Sequence, residues 1–328
     1  MTADERTENE GGGPSGAAGA DGGADPEPVR AKKVTPYKRH VADDFASPQS
    51  PFEQDGDMHG EVSELSLEKY SLLMRYTSSC VERFWVSHDV PIPLKITGKS
   101  LQQQLRKGGH LRADVITGYV RVIQQQDAMA FKKNKCTVVK WRHIMEPHFT
   151  EAALRGGEFR VTEAIRELVV GAHLAGLYEH SRMVMVPTNG TGYWALYVWD
   201  LQTRAVHVLD LVFSGPNWEM DELHGEHIKK IHIALVQVAI DLFEDWEDDF
   251  GGFHIQHKKL YYQPRARCES GICILHYMKW FSGEHVVRII NEEQAEKQRR
   301  AIMYDLISMT GNNGDIPAGV IEQVDLTE

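Results

Sequence analysis

Histidine residues are the first side chains of this chain that suggest chemistry. His224, His227 and His232 lie in one predicted helix, and His254 and His257 follow it. Imidazole groups of this kind bind zinc when three or four ligands converge. Spacings of three and five residues do not place the first three on one helical face, and no cysteine pair accompanies them. We therefore predict no metal site and no cofactor.

Composition excludes several classes of protein. The 328 residues carry a net charge of −11, which argues against a general nucleic-acid binder. No apolar run approaches the roughly 20 residues of a membrane span, and the N-terminus lacks the apolar stretch of a secretory signal. Four mostly distant cysteines are typical of free thiols in a reducing compartment. We expect a protein of the nucleus or cytoplasm that binds neither nucleic acid nor membrane.

The elements that must position any site begin after a polar tail. Residues 1–60 are rich in Gly, Ala, Pro, Asp and Glu, so we expect them to be disordered. A basic cluster lies between Arg30 and His40, and both a nuclear-import signal and a plain solvated stretch stay open for it. We assign one domain to residues 61–290, followed by a charged helix and polar end over 291–328.

Apolar periodicity predicts the secondary structure of that domain. Helical spacing covers residues 110–126, 162–178 and 223–243, with Thr162 as an N-cap. The runs MVMVP, YWALYVWD and AVHVLDLVF predict three successive strands joined by turns, and KKLYY predicts another. Gly271 begins a last apolar helix. Helices around clustered strands indicate the α+β class.

Three blocks of the chain, over roughly residues 95–285, resemble the ubiquitin-like (SUMO) protease family of cysteine peptidases. GHLRADVITGYVRVI resembles the family's WLxD-type entry to a helix. VMVPTNGTGYWALYVWDLQTRAVHVLD resembles its strand ending in Pro, its His-Trp pair and its Asp, since Asp210 lies 17 residues after Tyr193. YQPRARCESGICILHYM resembles the Gln and the Asp-Cys-Gly turn. The resemblance implies a papain-like (adenain-like) fold, with helices on a central, mainly antiparallel sheet.

The resemblance also implies the site residues. It places Tyr193 at the base position, Asp210 at the orienting carboxylate, Ser270 at the nucleophile and Gln263 at the oxyanion hole. In the family, a thiolate attacks an isopeptide carbonyl while imidazole accepts the proton and Asp orients it. A serine alcohol is far less acidic than a thiol, and a phenol with an ordinary pKa near 10 is a neutral donor at pH 7. We therefore expect a pseudoprotease that resembles the divergent members found in plant genomes.

Other interpretations stay open. A register slip makes Cys268 the nucleophile, and His207 is an alternative base, although strand alternation turns it away from Asp210. Either one, or Ser270 itself, gives an active thiol or serine isopeptidase that cleaves after a Gly-Gly tail. The remaining hypothesis is a plain protein-interaction scaffold.

The resemblance implies a substrate path as well. Related proteases pass the Gly-Gly tail of their partner between two tryptophans. Trp194 matches one of them, His110 stands at the other, and Ala113 replaces a carboxylate three residues later. The implied partner is a ubiquitin-like protein.

Overall fold

The computed structural model describes residues 63–133, 141–171, 181–213, 215–243, 246, 251–260, 262 and 266–320. The predicted tail over residues 1–60, its basic cluster and Gln263 lie outside these described residues. Within the described part of the chain, no helix is long and apolar enough to cross a membrane.

Eight α-helices are found among the described residues. Several begin where side chains satisfy free backbone N–H groups: Thr162 Oγ1 accepts from the Ile165 N–H at 3.3 Å, as predicted, and Asn291 forms a capping box with Gln294. The helices are α1 (Glu64–Leu73), α2 (Gly98–Leu105), α3 (Ala113–Lys133), α4 (Pro147–Leu154), α5 (Glu163–Val170), α6 (Asn217–Leu242), α7 (Ser270–Trp280) and α8 (Glu292–Ser308).

The strands form a hairpin and a five-stranded mixed sheet. The hairpin contains β1 (Phe84–His88) and β2 (Leu94–Thr97). The sheet has the order β3-β4-β5-β6-β7, with β3 (Arg142–Ile144), β4 (Met183–Thr188), β5 (Ala195–Asp200), β6 (Ala205–Leu209) and β7 (His254–His257). The three central strands β4, β5 and β6 are antiparallel neighbours, which confirms the predicted run of three successive strands. Strand β3 runs parallel to β4, and β7 runs parallel to β6. The α+β class is confirmed.

Both faces of this sheet are buried, which explains why its central strands are continuous apolar runs rather than alternating ones. On one face, Met185, Leu196 and Val198 pack in a core that also receives α2, α3, α7 and α8. On the other face, Val186 and Tyr197 pack against α4, α5 and α6. Helix α7 belongs to the first core and is buried from Ser270 to Met278. A helix that is apolar on all sides is expected in such a central position.

The strand predicted at KKLYY is wrong in position. The observed strand β7 ends at His257, and the Lys258 N–H makes the last bond of the ladder, to the Val208 carbonyl at 2.9 Å. Strand β7 forms by pairing with β6, far earlier in the chain, and only the isoleucine of its residues HIQH has a high strand preference. Local composition therefore could not locate it.

Helix α8 packs in the same core as α3, through Ile302, Met303, Leu306 and Ile307. The division into 61–290 and 291–328 stays a prediction from the sequence. In the structure, residues on both sides of that division contribute to one core.

Candidate functional site

The ends of two strands and the start of one helix bring the predicted site residues together. Tyr193 and Trp194 precede β5, Asp210 follows β6, and the pairing of Leu196 with Leu209 places both positions at the same end of the sheet. Helix α7 packs on β5 and begins with Ser270 at this end. The fold thus assembles the Tyr193, Asp210 and Ser270 positions, while the role of Gln263 stays a prediction.

Asp210 accepts four hydrogen bonds. Its Oδ1 accepts from the backbone N–H groups of Val212 and Phe213 at 2.8 and 3.1 Å. Its Oδ2 accepts from Tyr193 Oη at 2.7 Å and from His224 Nε2 at 2.9 Å. Burial alone raises the pKa of Asp210, but the bonds from His224, Tyr193 and the two backbone groups outweigh it and lower the pKa below its ordinary value. The carboxylate is therefore ionised at neutral pH.

His224 was not predicted as a site residue. It lies on the buried side of α6, where its Nδ1 is 2.7 Å from Tyr197 Oη while Nε2 contacts Asp210. One signal was available: His224 follows Met220 and precedes Ile228 at helical spacing on the core face, and a buried imidazole needs polar partners. Its partners were not readable from the sequence. Tyr197, His224, Asp210 and Tyr193 thus form one buried hydrogen-bond chain.

Tyr193, which the resemblance placed at the base position, is not a proton acceptor at neutral pH. Burial, followed by the hydrogen bond and the negative charge of Asp210, raises the pKa of its phenol well above the ordinary value. The phenol stays protonated at neutral pH and donates its hydrogen to Asp210. The guanidinium of Arg267 lies over the Tyr193 ring, with Cζ 5.7 Å from the ring centroid.

The Ser270 hydroxyl is bonded to backbone groups on both sides. It donates to the Arg267 carbonyl at 2.7 Å and accepts from the Trp194 N–H at 3.0 Å. The residue is fully buried, with 0% of its surface exposed. Such a hydroxyl joins the start of α7 to the 3₁₀ turn before it and to the backbone at the start of β5. It has neither an imidazole to remove its proton nor access to solvent.

The two positions of the implied substrate path differ in their surroundings. The Trp194 side chain is 2% exposed, and its indole N–H donates to the Leu111 carbonyl at 2.7 Å. A methyl group in place of the Gly271 hydrogen would lie 2.8 Å from the Leu111 Cβ, so Leu111 packs directly on the start of α7. His110 is exposed beside it. Trp194 is thus a buried, hydrogen-bonded core residue in this structure.

The alternative nucleophile and base are placed elsewhere. Cys268 is half-buried in the 3₁₀ turn Arg267–Glu269, before α7 begins. His207 is buried on β6 with Nε2 3.9 Å from Asp200 Oδ2, which agrees with its predicted orientation away from Asp210. Cys273 is buried inside α7, and this burial raises the pKa of its thiol to about 12, with a further contribution from Glu269. Within the described residues, no group of three or more His, Cys, Asp or Glu side chains is arranged to hold a metal ion.

Comparison with solved structures identifies the fold. The sequence matches no protein-family model and no curated protein. The structure is similar to the C-terminal Ulp1 protease domain in complex with Smt3, the yeast orthologue of SUMO, at 14% identity and a TM-score of 0.53, over 75% of this chain and 94% of that one. It is also similar to the Ulp1-like SUMO protease catalytic domain of Chaetomium thermophilum, at 14% identity and a TM-score of 0.50, over 79% and 94% of the two chains.

A third similar structure is SUMO protease Ulp1 with its catalytic cysteine oxidised to a sulfonic acid, at 14% identity and a TM-score of 0.53, over 76% of this chain and 97% of that one. At this level of identity the similarity establishes the fold alone. The described part of this chain has the α+β fold of the ubiquitin-like (SUMO) protease catalytic domain.

Proposed function

We propose that this protein is a catalytically inactive relative of the SUMO proteases that binds a ubiquitin-like protein. The observation that carries the proposal is the Ser270 hydroxyl, which is buried and bonded to the backbone of Arg267 and Trp194. At the position of the base, the Tyr193 phenol is a hydrogen-bond donor to Asp210.

The chemical cost of these substitutions is large. Loss of the nucleophile or the base of a protease triad lowers turnover on the order of 10⁶-fold. Here the nucleophile position carries an alcohol, and the base position carries a phenol whose pKa is raised further by burial and by Asp210. Among the described residues, the Ser270 hydroxyl donates to the Arg267 carbonyl, which is too weak a base to take its proton, and accepts from the Trp194 N–H. The geometry supports a structural role for Ser270.

The class of partner is inferred from the structural neighbours. The yeast domain that is similar in fold is bound to Smt3, an orthologue of SUMO. Under this proposal, the chain keeps, with the fold, a surface on which a folded modifier docks, and it lacks the triad chemistry. We therefore propose a ubiquitin-like protein as the partner and binding, rather than cleavage, as the activity.

Labelling with activity probes tests the absence of catalysis. SUMO and ubiquitin that carry a C-terminal electrophile are incubated with the wild-type protein, and we expect no covalent adduct. An adduct that disappears with Ser270→Ala would establish a serine isopeptidase. An adduct that disappears with Cys268→Ala would establish a thiol isopeptidase. Either result overturns the proposal.

Calorimetry with the same two modifiers, unmodified, tests the binding. We expect at least one of them to bind the wild-type protein without being processed. If the folded protein binds neither modifier, the ubiquitin-like partner is wrong and a plain interaction scaffold remains.

A restoration experiment tests whether the site is degenerate in the way proposed. The variant Tyr193→His with Ser270→Cys is compared with the control Tyr193→Phe with Ser270→Cys. Because a positioned general base contributes about 10²–10⁴-fold, we expect the histidine variant to form the probe adduct at least 10²-fold faster. Equal rates in the two folded variants would show that position 193 no longer stands where a base can act.

A further inference from the structure

A basic segment lies beside the candidate site of this otherwise acidic protein. The loop between α2 and α3 contains Arg106, Lys107, His110 and Arg112, all of them exposed. The whole chain carries a net charge of −11, so this concentration of basic side chains is unlike its average surface. Arg112 is partly neutralised by Asp114, whose Oδ2 lies 3.1 Å from Arg112 Nη2. The other three residues face solvent.

The backbone of this loop is held by buried polar groups. Arg299 of α8 is 3% exposed, and its Nη1 donates to the carbonyls of Gln104, Arg106 and Gly109 at 3.2, 3.4 and 2.9 Å. The side chain of Gln104 accepts from the Arg112 N–H at 2.7 Å. These bonds tie the loop to α2 and α8 together, and they leave its basic side chains directed outward.

Two glycines complete the loop geometry. Gly108 has φ +73°, a left-handed conformation that glycine adopts without strain. A methyl group on Gly109 would overlap the carbonyl oxygen of Gln104. The loop conformation therefore depends on its glycines and on Arg299, and its charges are presented from a preorganised backbone. Preorganisation lowers the entropic cost of binding a partner.

The position of the loop connects it to the candidate site. Leu111, within the loop, packs on Gly271 and accepts the indole N–H of Trp194. The exposed Arg267 lies over the ring of Tyr193, the residue before Trp194. The loop and Arg267 therefore flank the same end of the sheet. We call this set the basic rim, and its members are Arg106, Lys107, His110, Arg112 and Arg267.

We propose that the basic rim is the docking surface for an acidic face of the partner protein. This inference rests on the proposed function and adds the chemistry of the contact to it. A folded protein fits better than a nucleic acid, because the rim spans only one loop and one arginine, too short a basic surface to follow a phosphate backbone on a chain of net charge −11. Charge complementarity of this kind sets the rate and register of docking.

The test uses a charge reversal at two rim positions, Arg106→Glu with Lys107→Glu, in the full chain. The control reverses two exposed lysines of α6, Lys229→Glu with Lys230→Glu, and has the same change in net charge. Thermal unfolding of both variants verifies that they fold. Binding of SUMO, ubiquitin, a short fluorescein-labelled poly-glutamate peptide and a short single-stranded DNA is measured at low and at physiological salt.

We expect the rim reversal to weaken modifier binding about tenfold or more at low salt, with a smaller salt dependence than in the wild type. We expect the control to leave the affinity within about twofold of the wild type.

If a modifier binds and the reversal leaves its affinity unchanged, the rim is not the docking surface, although the proposed function stands. If neither modifier binds, the proposed function fails and the peptide decides the inference. Peptide binding that the rim reversal abolishes supports the rim, and absence of peptide binding overturns it. DNA bound more tightly than the peptide through the same residues would also overturn it, in favour of a nucleic-acid surface.

Discussion

Removal of the Asp210 carboxylate should destabilise the fold far more than its isosteric replacement. Asp210→Ala leaves four donors without an acceptor: the phenol of Tyr193, Nε2 of His224 and the N–H groups of Val212 and Phe213. Each buried donor left unpaired costs about 1–3 kcal/mol. Because the site relaxes and admits water, a simple sum over four donors is too large. We therefore expect a net loss of about 3–5 kcal/mol, near the lower end of that sum.

Asp210→Asn should cost less, about 1–2 kcal/mol, because the amide keeps an acceptor for the two backbone groups. Its NH₂ group replaces Oδ2, and the Tyr193 hydroxyl and the His224 ring can reverse their hydrogens to accept from it. Asp221→Ala is the control: its carboxylate is 56% exposed and lies 2.7 Å from His257 Nε2 on the surface of α6. Because the Asp221 carboxylate is exposed to solvent, its loss should cost at most about 1 kcal/mol.

Urea denaturation measures these free energies of unfolding, and thermal denaturation gives a second reading. At about 2–4 °C per kcal/mol for a domain of this size, Asp210→Ala should lower the Tm by about 6–20 °C. A loss below about 1 kcal/mol for Asp210→Ala would refute the reasoning, because the donors would then have found other partners at no cost. Equal losses for the Ala and Asn variants would refute the role of the retained acceptor.

Three further results are expected. The stability advantage of wild type over Asp210→Asn should be constant near neutral pH. It should begin to shrink as the pH falls below about 4, the ordinary pKa of an aspartate, and be lost as the pH falls through the lowered pKa of Asp210 in the folded state; an advantage that does not shrink between pH 4 and pH 2 would contradict this. Gly271→Ala, whose methyl would lie 2.8 Å from Leu111 Cβ, should lower the free energy of unfolding in urea by about 1–3 kcal/mol. Gly225→Ala, with open space around it in α6, should raise that free energy by about 0.5–1 kcal/mol. A change of the same sign in both variants would exclude the packing explanation. Arg121→Met should cost about 3–5 kcal/mol because it leaves the buried Glu146 carboxylate without its guanidinium, 2.8 Å away, and adding Glu146→Leu should recover part of that loss; additive losses would show that the pair is not coupled.

Elements with a strong local signal could be predicted from the sequence. Helices α3, α5 and α6 show apolar residues at helical spacing, and Thr162 caps α5 as expected. The three central strands are short apolar and β-branched runs between turn residues. Strand β7 had no such signal, because it is formed by pairing with β6 rather than by its own residue preferences. The predicted strand at KKLYY failed for this reason.

Some features of the candidate site could likewise be predicted from the sequence. The types of residue at positions 193, 210 and 270 are properties of the sequence, and so are their consequences: a phenol is a weak acid and a serine alcohol is a poor nucleophile without a base. The family resemblance also implied that Tyr193 and Asp210 lie in one site, and their side chains are 2.7 Å apart. The direction of that bond follows from the chemistry of the phenol.

What only the tertiary structure decided is which groups surround these side chains. His224 reaches Asp210 because α6 packs across the sheet, and the Trp194 N–H reaches Ser270 because α7 packs on β5. Neither contact follows from local periodicity, since each joins elements that are far apart in the chain. The residue types at these positions, which the sequence alone gives, thus predict that the triad chemistry is absent. The packing decided that the Ser270 hydroxyl is buried and that the Asp210 carboxylate holds a structural hydrogen-bond chain, because burial and hydrogen-bond partners are set by non-local contacts.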